Sequence, residues 1–182
     1  MLAIPPYAAR LFFGGMSLAL AITVFAGFAQ TFYLHRALAS PNVLTSTLLM
    51  HGSIFTTWVL LLVVQASLVS AHRTDLHRKL GAAGGVLGAL IPLVAAYVSI
   101  ERMRDGLMVL PDGTPAAGLF AVGFATVVVF PTLFGAALYF RRRTDIHKRL
   151  VLIATLDLAY AAVARLPGVV TLTFTSAGPF YY

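Results

Sequence analysis

Long stretches without a charged residue are the feature that most limits how this chain can fold. Residues 11–34, 80–100 and 113–140 contain no Asp, Glu, Lys or Arg, and residues 37–71 contain no ionisable side chain except His51. Only 10% of the 182 residues are charged, against roughly 25% in soluble domains. A helix that crosses a bilayer needs about 20 predominantly apolar residues, so each stretch can form one. The pattern predicts an all-α polytopic membrane bundle.

A fifth membrane helix is predicted in the segment that carries Asp157 and Arg165. We expect one transmembrane domain over residues 1–182, with spans at about 11–34, 43–71, 77–100, 116–140 and 148–166. The apolar tail, 167–182, is too short to span, and is interpreted as a surface segment or as the beginning of a further helix. For the first span, a cleaved signal peptide is the alternative, but its uninterrupted run to Leu34 favours a retained helix.

Basic residues predict the orientation of the spans. If the helices alternate in direction, nine of the 13 Lys and Arg residues fall on one side of the membrane. Positive charge accumulates on the cytoplasmic side, so the N-terminus is predicted to be cytoplasmic, in a bacterial inner membrane. The same placement explains the net charge of +7 by membrane orientation rather than by nucleic-acid binding. The four on the other side are Arg36, Arg102, Arg104 and Arg165.

Two near-identical nonapeptides, residues 72–80 and 142–150, form the loops on the basic side and the helix starts that follow. Each places a Thr-Asp pair, typical of a helix N-cap, just before one histidine, His77 or His147. A neutral imidazole at a helix start can bind a metal or haem iron. If helices three and five are neighbours, His77 and His147 are predicted to be the axial ligands of one haem b. The alternative is two interfacial residues in convergent loops rather than in a duplicated two-helix unit.

The second and third spans carry further patterns. Four polar or aromatic residues recur every seven positions on one face of the second span, which predicts a central helix; they are His51, Trp58, Gln65 and His72. The third span begins with two GxxxG pairs, which indicate close internal helix packing, with dimerisation as the alternative; their residues are Gly81, Gly84, Gly85 and Gly88.

Asp157 is the one acidic residue well inside a predicted span. An ionised, unpaired carboxylate is costly there, so Asp157 is expected to have a partner or to lie in a wet cavity. His51 lies at a similar depth in the second span, and Arg165 follows Asp157 by about two turns. We predict a polar cluster of His51, Asp157 and Arg165 near the outer membrane face.

Several motifs recur together along the chain: Met50-His51-Gly52-x-x-Phe55-x-x-Trp58, Gln65, Asp75-Leu76-His77-Arg78-x-Leu80-Gly81, Asp145-Ile146-His147-Lys148-Arg149-Leu150 and Ala164-Arg165-Leu166-Pro167. This set resembles a family of uncharacterised bacterial multi-pass membrane proteins. The resemblance covers about residues 24 to 167. Members of that family continue with further apolar segments, which implies that this chain is shortened after Tyr182.

A looser resemblance is to transmembrane b-type cytochromes. It implies His77 and His147 as a cytoplasmic haem pair and His51 as one outer ligand, but the fourth helix has no histidine to complete an outer pair.

These observations leave two functional hypotheses open. The first is a redox protein of the inner membrane with one haem b on His77 and His147, which exchanges electrons with quinone near the cytoplasmic face. The second is a non-enzymatic carrier or an accessory subunit of a membrane complex, with the outer site of His51, Asp157 and Arg165. The sequence does not decide whether the protein is an enzyme or an oligomer.

Overall fold

The computed structural model describes residues 6–38, 44–104 and 117–166, and these residues form helices joined by turns, without a strand. The prediction of an all-α chain is confirmed, and the interpreted tail 167–182 lies outside the described residues. A π-helix spans Ala29–Tyr33. The α-helices are Pro6–Gly27 (α1), Ser46–Ser70 (α2), Thr74–Arg104 (α3), Ala117–Tyr139 (α4) and Thr144–Val163 (α5).

Three of the described helices, α1, α2 and α3, are long and apolar enough to cross a membrane. Large apolar side chains on these helices point away from the bundle: Ile22 is 61% exposed, Val86 66% and Leu93 66%. Such a continuous apolar exterior is costly in water and suits contact with lipid. The structure therefore supports the expected membrane protein.

The helices form a closed ring in chain order. Each packs against its neighbours in sequence, and α5 closes the ring against α1. Consequently α2 is not central as expected, since it has α1 and α3 beside it, and its outer residue Leu60 is 48% exposed. Helices α3 and α5 are not adjacent neighbours either, because α4 lies between them.

One end of the ring collects the basic loops. The Arg10 guanidinium donates to His72 Nε2 over 2.6 Å, which joins the start of α1 to the α2–α3 turn. Lys148 Nζ lies 4.9 Å from the centre of the Phe13 ring, which joins the start of α5 to α1. We call this the basic end, defined by Arg10, residues 71–73 and residues 140–143.

An aromatic cluster fills the middle of the ring. Trp58 of α2 is 4% exposed and meets the rings of Phe130 and Phe134 edge-on at 5.3 and 5.0 Å. Its indole Nε1 donates to Thr155 Oγ1 over 3.2 Å, so the seven-residue stripe of α2 reaches across the ring to α4 and α5. Aromatic burial with a satisfied indole N–H stabilises such a core.

Glycines allow the helices to approach at two levels. A Cβ at Gly88 would overlap the Phe134 ring, and a Cβ at Gly84 would lie 3.1 Å from Leu61. At Gly85 nothing lies within 4 Å. Within the described structure, the pair Gly84 and Gly88 therefore serves internal packing, as expected.

The end opposite to the basic loops is shaped by the π-helix. Its backbone hydrogen bonds join residues that are five positions apart, as in Leu34 N–H to the Ala29 carbonyl at 2.7 Å. A π-helix is rare and often marks a functional segment. Here it turns Phe32 onto Gly52 and lets the Tyr33 hydroxyl hydrogen bond with Thr56 over 2.7 Å.

Candidate functional site

The two nonapeptides begin helices in the same way. Both α3 and α5 start at the threonine of the repeat, and the backbone N–H of His77 or His147 donates to the carbonyl of the arginine four residues earlier, at 3.0 and 2.9 Å. The expected N-cap by Thr-Asp is wrong for α5, because its N-cap is Arg143, without a side-chain hydrogen bond. In the first copy, the Asp75 carboxylate lies 3.5 Å from Arg73 Nε, and its place in the first turn of α3 suits the positive end of a helix dipole.

His147 is oriented by the backbone of α4. Its Nδ1 lies 2.8 Å from the Ala137 carbonyl oxygen. A carbonyl only accepts, so Nδ1 must carry the hydrogen in this contact. In the neutral ring, Nε2 then has the free lone pair. His147 is thus an acceptor at Nε2.

His77 is oriented by Gln65, which reaches across the α2–α3 hairpin. The amide oxygen of Gln65 accepts from the backbone N–H of Gly81 (3.0 Å), and its nitrogen donates to the backbone carbonyl of His77 (3.2 Å). These two backbone groups determine the positions of the oxygen and the nitrogen of the Gln65 amide, because an N–H only donates and a carbonyl only accepts. The same amide nitrogen lies 2.7 Å from His77 Nδ1, so Nδ1 accepts and the neutral ring carries its hydrogen on Nε2. The His77 ring also hydrogen bonds with the backbone carbonyl of Gln65.

The donor set therefore fits a bis-histidine haem only in part. An axial ligand gives iron an Nε2 lone pair while its Nδ1–H faces an acceptor. His147 meets both conditions. His77 meets neither, because its Nδ1 faces an amide N–H and its Nε2 carries the hydrogen.

The two rings share one region of the basic end, although their helices are not adjacent. The charge of His147 acts on the His77 ring. Across the described residues no group of three or more His, Cys, Asp or Glu side chains could hold a metal ion. The chemistry of this site thus depends on the pair, with Gln65 and the Ala137 carbonyl as its supports.

His51 and Arg165 both lie toward the opposite end. The His51 ring stacks on Phe55 with centroids 4.2 Å apart, and the charges of Arg165 and Arg102 both act on it. Arg165 donates to the Ala161 carbonyl over 2.7 Å, and its guanidinium lies over the Phe28 ring at 4.9 Å. Buried side-chain atoms without a hydrogen-bond partner in the described structure include Nδ1 of His51.

Asp157 has a different partner from the one expected. It hydrogen bonds with Thr126 of α4, while its Oδ2 is buried without a partner among the described residues. The predicted set of His51, Asp157 and Arg165 is thus represented by two arrangements: His51 with Arg165 and Arg102, and Asp157 with Thr126.

Sequence reasoning missed the partners that orient the histidines. Gln65 and His77 are almost equally far from the α2–α3 turn, so a hairpin alignment would have paired them. The role of the Ala137 carbonyl could not be predicted from residue types, because it is a backbone group and its contact with His147 depends on how α4 and α5 pack.

Comparison of the chain with models of known protein families, with curated protein sequences and with solved structures gives no match. The class of the protein therefore rests on its own residues and geometry, which define a helical bundle with an apolar exterior and two polar ends.

Proposed function

We propose that all five α-helices cross a bacterial inner membrane, with the N-terminus in the cytoplasm. The contacts of Arg10 with His72 and of Lys148 with Phe13 support this orientation, since they bring the basic loops to one end. α5 has 20 residues, which corresponds to about 30 Å of helix. The Asp157 carboxylate of α5 has Thr126 of α4 as a hydrogen-bond partner for one of its oxygens, which lowers the cost of a carboxylate in a membrane interior.

We further propose that the protein is a membrane-embedded binding module, of the carrier or accessory-subunit type, whose ligand site includes His77 and His147. One observation carries this choice over a bis-histidine cytochrome: the two Nδ1 atoms have opposite hydrogen-bond partners. Bis-histidine ligation of haem iron needs a lone pair on the same ring nitrogen of both histidines, whereas a polar organic ligand can use a donor at one ring and an acceptor at the other.

The absorption spectrum of the purified protein tests this proposal. The protein is produced in cells supplied with haem and extracted in mild detergent, and His77→Ala and His147→Ala are prepared alongside. We expect folded, colourless protein in all three cases. A Soret band that disappears in both variants would show a bis-histidine haem and overturn the proposal.

A redox protein with haem b, which exchanges electrons with quinone, is the second candidate. The observation that favours it is His147, whose Nδ1–H donates to the Ala137 carbonyl over 2.8 Å, as the N–H of a metal-bound histidine does. The same spectrum separates the two: a Soret band that survives His77→Ala and is lost in His147→Ala indicates one histidine ligand.

The outer-end residues His51 and Arg165 support the carrier form of the proposal. Two arginine charges act on one histidine ring there, at the end opposite to His77 and His147. A carrier needs polar groups toward both faces of the membrane, and this bundle has them.

A further inference from the structure

An apolar groove runs along the outside of the bundle, where α1 packs against α5. It has a volume of about 410 Å³, and its walls include Met16 and Thr23 of α1 and Leu156 and Val163 of α5. The Thr23 hydroxyl donates to the Ala19 carbonyl over 2.9 Å, so its hydrogen is already used within α1. The groove therefore suits an apolar chain rather than a polar ligand.

Two cations lie at the end of this groove that is nearer to the basic end of the bundle. Lys148 Nζ lies 4.9 Å from the centre of the Phe13 ring, and Phe13 precedes the groove residue Met16 by about one helical turn. Arg149 is exposed and precedes the groove residue Leu156 by seven residues. Seven residues are nearly two turns, so Arg149 and Leu156 share one face of α5.

Neither cation is neutralised by an acidic side chain within the described part of the chain, where the one ion pair joins Arg73 with Asp75. We propose that the α1–α5 groove binds an anionic phospholipid of the membrane, whose phosphate meets Lys148 and Arg149 and whose acyl chain lies in the groove. Basic pockets between membrane helices on the cytoplasmic side bind anionic headgroups in this way. The inference rests on the proposed placement of α1 and α5 in the membrane, and not on the histidine site.

A second copy of the chain suits this groove less well than a lipid does. Copies in one membrane have the same orientation, so a second copy would bring its own basic end to the same depth. Its cations would then face Lys148 and Arg149, and like charges placed together across an interface are unfavourable. A phosphate brings the opposite charge to that position, and its acyl chain matches the apolar walls.

Quenching of a tryptophan placed in the groove tests the inference. Leu156→Trp puts an indole in the groove wall, and Trp58, which is 4% exposed in the core, gives a background that is measured on the parent protein. The protein is reconstituted in vesicles of equal parts of phosphatidylglycerol and phosphatidylcholine, with bromine on the acyl chains of only one of the two lipids. Because the composition is otherwise the same, the difference in quenching reports which lipid lies against the groove.

We expect phosphatidylglycerol to be preferred at the Leu156→Trp indole by about fivefold, since one basic side chain near the headgroups contributes about that factor. The matched reporter is Val86→Trp. Val86 lies seventy residues before Leu156 in the repeat and is 66% exposed on α3, away from the α1–α5 groove. The preference for phosphatidylglycerol should be smaller there.

The repeat also supplies a matched pair of charge variants. Lys148→Gln combined with Arg149→Gln should remove most of the preference at the Leu156→Trp indole. Arg78 and Lys79 occupy the same places in the first nonapeptide, so Arg78→Gln combined with Lys79→Gln removes equal charge from α3 and should leave the preference unchanged. Circular dichroism checks that each variant is folded, and the comparison of the two reporters stands without the charge variants.

Equal quenching by the two lipids at position 156, an equal preference at position 86, or an equal loss in both charge variants would overturn the inference. Absence of quenching at position 156 would overturn it too. If quenching then appears when the protein is diluted in lipid, a second copy covers the groove. If it does not appear, α5 lies outside the bilayer, and the proposed membrane crossing fails as well. The Soret band reports separately on the histidine site.

Discussion

At the scale of single residues, equal sequence does not mean equal chemistry. His77 and His147 follow the same Arg-Thr-Asp-x pattern, and both were expected to ligate one haem. Their neighbours make them unlike: an amide N–H faces one Nδ1 and a carbonyl faces the other. A tautomer is set by tertiary contacts, so the sequence could predict the pair but not its asymmetry.

His72, in the turn between α2 and α3, has an unfavourable backbone conformation. It has a φ of 59°, a left-handed conformation that favours glycine. The turn is closed by Arg73 N–H to the Leu68 carbonyl at 2.8 Å and His72 N–H to the Val69 carbonyl at 3.2 Å, a Schellman pattern. The His72 side chain accepts a hydrogen bond from the Arg10 guanidinium through Nε2, a contact that a glycine at this position could not make.

His72→Gly should be more stable than His72→Ala by about 1 kcal/mol, because only alanine keeps the left-handed strain. Both variants lose the contact with Arg10, so this contact cancels in the comparison. The free energy of unfolding in mixed detergent micelles is the measurement. Equal stability, or a more stable alanine variant, would contradict backbone strain at position 72.

At the scale of elements, the repeat acts locally. Both helices begin at its threonine, Thr74 or Thr144, but the hairpins diverge beyond the loops. The position seventy residues after Gln65 is Gly135, so the second copy has no amide to face His147. The copies thus share a helix start, and differ in what holds the histidine.

The apolar runs predicted the helices, but not where they end. α1 begins at Pro6, five residues before the predicted span, and is interrupted after Gly27 by the π-helix. A hydropathy pattern cannot predict a π-helix. This one is stabilised by the Phe32 ring, which packs against Gly52, and by the hydrogen bond between the Tyr33 and Thr56 hydroxyls. Such bounds depend on packing rather than on composition.

Glycine substitutions should rank the helix contacts. Gly27→Ala should destabilise by about 1–3 kcal/mol, because the new Cβ would overlap the backbone of Ala162. Gly85→Ala is the matched control, with nothing within 4 Å of the new Cβ, and should gain up to about 1 kcal/mol from helix propensity. Unfolding in mixed micelles measures both, and a neutral Gly27→Ala would contradict the close approach of α1 and α5.

At the scale of the whole molecule, composition was sufficient for the class of fold. Charge-free runs predicted membrane helices, and three of the described helices are long and apolar enough to cross a membrane. The order of helices around the ring was not readable, since any apolar face can pack against another in lipid. Contacts of the kind made by Arg10 and Gly27 decide that order.

The proposed orientation predicts opposite labelling of the two ends of α2. The chain has no cysteine, so Ser46→Cys and Ser70→Cys each introduce a single thiol at an exposed end of this 25-residue helix. A membrane-impermeant maleimide should label Ser46→Cys in intact spheroplasts, and Ser70→Cys only after permeabilisation. The reverse pattern would invert the proposed topology, and labelling of both in intact spheroplasts would exclude a crossing by α2.

The most direct test of the central claim is the tautomeric state of the two repeat histidines. Nitrogen-15 NMR of histidine-labelled protein distinguishes a protonated from an unprotonated ring nitrogen, and His77→Asn and His147→Asn assign the signals. We predict the hydrogen on Nε2 in His77 and on Nδ1 in His147. Gln65→Glu, whose carboxylate can only accept, should convert His77 to the tautomer of His147. The same tautomer in both rings of the wild type would contradict the account.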